Sequence, residues 1–68
     1  MRYAIVIKKA EGKYSAHVPD LPGCTAMATS LAEAQKEIRT VVRLHLARLE
    51  RDGLPAPEPT TVVEYTDT

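Results

Sequence analysis

The sequence predicts an α+β fold: an antiparallel sheet with one long helix packed on it, in the order βββαβ. Three observations predict it. Residues 31–52 repeat apolar side chains with the 3.6-residue period of a helix. Four shorter stretches, three before the helix and one after it, alternate or carry the β-branched and aromatic residues of strands. Glycine or proline punctuates most of the junctions. The expected strands are 2–8, 13–18, 24–28 and 60–65, within a single domain spanning 1–68.

In the first strand Tyr3, Ile5 and Ile7 point to one face and Ala4 and Val6 to the other. Both faces are apolar, the pattern of a central strand covered on both sides. The helix covers one; the chain has little left to cover the other, so a second subunit is expected there. Glu11-Gly12 is a hairpin signal. The second strand sets Tyr14, Ala16 and Val18 against Ser15 and His17, and Pro19, which lacks an N–H, stops its ladder. Leu21-Pro22-Gly23 suits a tight turn with glycine where φ must be positive. The third strand places Cys24, Ala26 and Ala28 on one face, small enough to let a helix approach closely, and Thr25 and Met27 on the other.

On a helical wheel Val41, Ala34, His45, Ile38, Leu31, Leu49, Val42 and Leu46 fall within a stripe roughly 140° wide. Ser30 with Glu33 three residues on fits a capping box. Gly53 suits the left-handed position after the last turn, and Pro55 forbids continuation. From Leu31 to Arg51 such a helix is ~32 Å long, a long rod for 68 residues. Pro55, Pro57 and Pro59 then favour an extended, semi-rigid strap leading to the β-branched and aromatic run Thr60–Tyr65.

A chain of 68 residues buries only about 60% of its unfolded surface, so a lone core is marginal. One cysteine allows no intrachain disulfide, and no Cys/His group has zinc spacing. Self-association as a homodimer or higher oligomer is the expected stabiliser. A free Cys24 fits a reducing, cytoplasmic setting. The N-terminal apolar run is too short for a signal peptide or membrane span. Nine basic and nine acidic residues leave no net charge and argue against a broad nucleic-acid footprint.

The run Tyr14-Ser-Ala-His-Val-Pro-Asp-Leu-Pro-Gly-Cys24 resembles the signature of HicB-like antitoxins, small proteins of the UPF0150 type. Ser30-Leu31-Ala32-Glu33-Ala34, Leu44-His45-Leu46, Gly53 and Pro55-Ala56-Pro57-Glu58-Pro59 follow in the family's order, so the resemblance covers nearly the whole chain. It implies a partial ribonuclease-H-like fold, self-association, and neutralisation of a HicA-type, mRNA-cleaving toxin in a type II toxin–antitoxin system. Two features depart from the family. Ala28-Thr29 stands where Gly-Asp often precedes the helix cap. The helix-turn-helix or ribbon-helix-helix that many members carry has no counterpart in residues 1–68, so direct DNA binding is not expected.

No enzymatic chemistry, metal or cofactor is expected. A two-metal nuclease needs carboxylates converging on one point, whereas these acids sit at turns, on the helix's polar face and after it. The residues expected to touch a partner are His17, Asp20, Leu21, Leu44 and Arg48. His17 lies on the polar face of its strand. Asp20 beside a rigid turn either bonds locally or pairs with a basic partner, and Leu21 belongs to the same loop. Leu44 projects away from the apolar stripe, and Arg48 lies near it. His45, inside the stripe, reads as a core or interface residue. Lys36, Arg39 and Arg43 share one flank, where a solvated face is the ordinary outcome and a phosphate patch the rarer one. The alternative reading is an orphan regulatory or scaffold domain that binds another protein or RNA.

Overall fold

A computed structural model describes residues 1–68. It contains strands β1 (Val6–Ala10), β2 (Lys13–His17) and β3 (Thr25–Ala28), followed by helix α1 (Leu31–Arg51). The sheet is antiparallel with order β1-β2-β3. The helix lies mainly over β3 and β2 and only lightly over β1. This is the α+β arrangement read from the sequence, in two layers: the chain measures 42 × 26 × 15 Å, and the second face of the sheet is bare.

Local chemistry accounts for the turns. Glu11 (φ 48°) and Gly12 (φ 77°) both take positive φ, as a two-residue hairpin loop requires, and set Ala10 opposite Lys13. In the next loop the Cys24 amide donates to the Leu21 carbonyl at 3.1 Å across Pro22-Gly23, with Gly23 at φ 88°. This is the proline-then-glycine turn the sequence predicts.

The helix ends where its capping residues place the ends. The Ser30 hydroxyl accepts from the Glu33 amide at 3.2 Å. At the other end the Leu54 amide reaches the Leu49 carbonyl (2.8 Å) and the Gly53 amide the Glu50 carbonyl (3.1 Å). With Gly53 left-handed, this pair of bonds is a Schellman motif.

The core lies between sheet and helix: Ala16, Val18, Leu21, Cys24 and Ile38 are buried together, flanked by Tyr3, Ile5, Ile7, Ala26, Val41, Val42 and Leu46. Ala34 is buried as well. Small side chains at Ala16, Cys24 and Ala34 let backbone layers approach closely, but six buried residues make a small core. Leu31, placed in the apolar stripe by the wheel, is the first residue of the helix and is 46% exposed.

Two strand expectations need correction. The first strand begins at Val6 rather than Arg2, and it is an edge, not the centre. The hairpin fixes the register, so pairing counts back from Ala10 and stops at Val6↔His17, just before Pro19. Residues 2–5 take part in no strand pairing, and β2 is central. The expected fourth strand, 60–65, is likewise not part of the sheet. Its first two residues are bound by Asp20 instead.

Candidate partner-binding surface

The five residues expected to touch a partner fall in four different environments. Leu44 and Arg48 stand one turn apart on α1 and line one shallow groove of about 240 Å³ with Gly23, Cys24, Val41 and His45. The loop after β2 thus meets the outer flank of the helix. Leu44 is 64% exposed, as its wheel position requires. His45, expected in the core or an interface, is half-buried at this groove.

Leu21 cannot serve as a contact residue: it is 0% exposed, and its side chain is among the largest fully buried ones in the chain. The turn that carries it folds inward because Val18, Leu21 and Cys24 bond to one another through their backbones and bury together. Leu21 therefore holds the loop in place and leaves Pro22 and Gly23 exposed.

Asp20 is a clasp within the chain. Its Oδ2 accepts from the amides of Thr60 (3.1 Å) and Thr61 (3.0 Å), and its Oδ1 from their hydroxyls at 3.1 and 2.9 Å. The Thr61 amide above all, with the two hydroxyls and the Thr60 amide, holds the carboxyl below its ordinary value of 3.8, outweighing a smaller opposing effect of desolvation. A second tie lies upstream, where the Tyr3 hydroxyl donates to the Pro57 carbonyl at 2.6 Å. The proline strap is thus fastened to the domain at its middle, Pro57, and just beyond its last proline, at Thr60 and Thr61. The sequence carried a signal for this, an acid beside a rigid turn and a Thr-Thr pair after the prolines, but about 40 residues separate the partners.

His17 sits on the bare face of the sheet, in a cross-strand row with Val6 and Thr25. Met27, 62% exposed, shares that face. His17 is therefore on the opposite side of the sheet from the helix that carries Leu44 and Arg48.

Sequence reasoning missed a larger groove. Met1, Tyr3 and Ile5 face Val42, Leu46 and Ala47 across about 500 Å³, with Arg39, Arg43 and Glu50 also lining it. It exists because residues 1–5 run past the end of β2 and so lie beside the helix without a neighbouring strand. Arg39 and Arg43, grouped on one flank by the wheel, border this groove.

No three His, Cys, Asp or Glu side chains converge on a common point. The Cys24 thiol is buried, and desolvation pushes its pKa above the ordinary 9.0. No helix is long and apolar enough to cross a membrane.

Comparison with known proteins gives a consistent result. The family described as "HicB_like antitoxin of bacterial toxin-antitoxin system" matches residues 3–68. A UPF0150 protein of Archaeoglobus fulgidus is 45% identical over 47 residues, 68% of each chain. One of Helicobacter pylori is 43% identical over 49 residues, covering 72% of this chain and 68% of the relative. An uncharacterized 14.9 kDa protein of Haemophilus phage HP1 is 29% identical over 65 residues; the match takes in 96% of this chain but spans only 49% of the phage protein. No solved structure matches.

Proposed function

The chain belongs to the HicB-like antitoxin family, and from that premise we propose that it binds and neutralises a HicA-type, mRNA-cleaving toxin in the cytoplasm. The family match across residues 3–68 carries the reading. Antitoxins of this family generally act by binding rather than by catalysis, and the surface is compatible with that role. Leu44 is a large apolar side chain presented to solvent on a rigid helix, with Arg48 one turn away and a groove beside it. Arginine is among the residue types that dominate binding hot spots, so Arg48 beside the exposed Leu44 is the pair this surface offers a partner. A ribonuclease must hold phosphate and so presents basic groups, which gives exposed acids on the helix, Glu33 and Glu37, an electrostatic target.

The test is inhibition. A basic protein of similar size encoded beside this chain is purified, its RNA cleavage is followed, and this chain is titrated in. Cleavage falling to background at a fixed molar ratio supports the reading. A Leu44→Ala, Arg48→Ala double variant, folded by circular dichroism, removes both side chains without adding acids that a basic partner would attract, and is expected to inhibit at least tenfold less well. Undiminished cleavage at saturating chain, together with no rescue of growth on co-expression, refutes it.

A further inference from the structure

The groove of about 500 Å³ between residues 1–5 and α1 has no part in the reading above. Its two ends differ. At one end Ile5 and Arg39 also share a smaller hollow with Ile7, Gln35 and Ile38. Arg43 stands one turn further along α1, ~6 Å by helical rise. At the other end Met1 and Glu50 share a second hollow with Leu49, Leu54 and Ala56. Between the ends Tyr3, Val42, Leu46 and Ala47 supply an apolar lining, and Glu50 lies ~10 Å beyond Arg43 along the helix. Independently of the antitoxin reading, we propose that this groove is a binding site for a small, soluble amphipathic anion, an alkyl carboxylate. Its charged head lies on Arg39 and Arg43, and its apolar body runs toward Met1.

Charge commits the head. Arg39 and Arg43 are exposed and unpaired, since the chain's only ion pair joins Arg51 to Asp52. Two guanidinium groups one turn apart can share one carboxylate, and Glu50 repels an anion from the opposite end. An exposed ion pair alone contributes little. The apolar lining therefore supplies most of the affinity, and the arginines set the direction. The second hollow, with Leu49, Leu54 and Ala56, continues the apolar surface past Met1 for a longer chain.

Size commits the site to a small ligand. Its volume lies within the range of about 300–1,000 Å³ typical of small-molecule sites. Nine residues line it, against about 20–30 on each side of a standard protein interface. The wall is also fixed beforehand. Residues 2–5 have no strand partner, but the Tyr3 hydroxyl donates to the Pro57 carbonyl at 2.6 Å and ties that segment to the proline strap. A wall already in place lowers the ordering cost of binding.

The test is titration of the full chain with sodium hexanoate, octanoate and decanoate, each below the concentration at which it forms micelles, followed by amide NMR. Saturable shifts are expected around Tyr3, Ile5, Val42 and Leu46, with half-saturation by decanoate below about 1 mM. Affinity should rise along the series by up to about fourfold per methylene. Decylamine, with the same apolar chain and the opposite charge, should bind at least tenfold more weakly than decanoate. Arg39→Gln with Arg43→Gln should weaken decanoate about three- to tenfold and leave decanol unchanged. Both positions are exposed, so this variant should keep the circular dichroism of the parent. Scattered or unsaturable shifts overturn the proposal. So does decylamine binding as well as decanoate, or a glutamine variant that binds decanoate like the parent. Binding to phosphatidylglycerol vesicles without binding of soluble decanoate assigns the groove to a lipid surface, and groove shifts that follow chain concentration but not decanoate assign it to another copy; either result overturns the proposal. None of these outcomes depends on inhibition of a toxin.

Discussion

Leu21 and Leu44 look alike in the sequence as candidate contact residues, and the structure separates them. Leu21 is 0% exposed and Leu44 is 64% exposed. Truncating a fully buried leucine removes its transfer free energy and leaves a cavity, together ~2–5 kcal/mol. A domain of 68 residues has a total stability of only ~3–10 kcal/mol at ~0.05–0.15 kcal/mol per residue. Leu21→Ala is therefore expected to remove a large fraction of the stability and, at ~4–8 °C per kcal/mol for a domain of this size, to lower Tm by 10 °C or more. Leu44→Ala leaves solvent where solvent already was, so its effect on stability stays within ~0.5 kcal/mol. The assay is thermal and urea unfolding followed by circular dichroism, with all chains at one concentration because self-association would shift Tm. Leu21→Ala within 1 kcal/mol of the parent would refute the packing argument for the loop. A Leu44→Ala loss comparable to that of Leu21→Ala, at a concentration where the chain is monomeric, would place Leu44 in the core and remove the basis for its role as an anchor.

Further predictions rest on single features. Asp20→Asn keeps the shape of the clasp but loses its charge, so the amides of Thr60 and Thr61 should exchange faster, with little change at α1; unchanged exchange counts against the clasp. Because the folded pKa of Asp20 lies below 3.8, its contribution is fully present above that value. It is lost as pH falls through the lower folded value, so the Thr60 and Thr61 amide resonances should move at a pH below 3.8; a midpoint above 3.8 contradicts the sign. Ser30→Ala removes the hydroxyl that accepts from the Glu33 amide and should cost about 1 kcal/mol by urea unfolding. Cys24, 2% exposed and with a raised pKa, should react with a thiol reagent far more slowly in the folded chain than in urea; equal rates would mean the loop opens freely.

Sequence alone determined whatever depends on near neighbours. The helix, with its serine cap and its glycine stop, came from periodicity and from residues within one turn of each end. The Glu11-Gly12 hairpin and the Pro22-Gly23 turn came from backbone preferences at two positions each. The inward faces of the strands followed from alternation, and Leu44 pointed outward as its position on the wheel required. Only the tertiary structure decided which strands are neighbours and which polar groups meet. Alternation tells which face a side chain takes but not which strand lies beside it, so β1 read as central when the strand order β1-β2-β3 leaves it at an edge. The apolar character of residues 2–5 and 60–65 marks them as strand-forming, yet a strand also needs a partner for its backbone, and within one chain the sheet offers them none. Leu21 and Asp20 are adjacent in the loop, but one turns into the core and the other reaches Thr60 and Thr61. That outcome was set by a strap some 40 residues away, fastened by hydrogen bonds whose partners no local pattern joins.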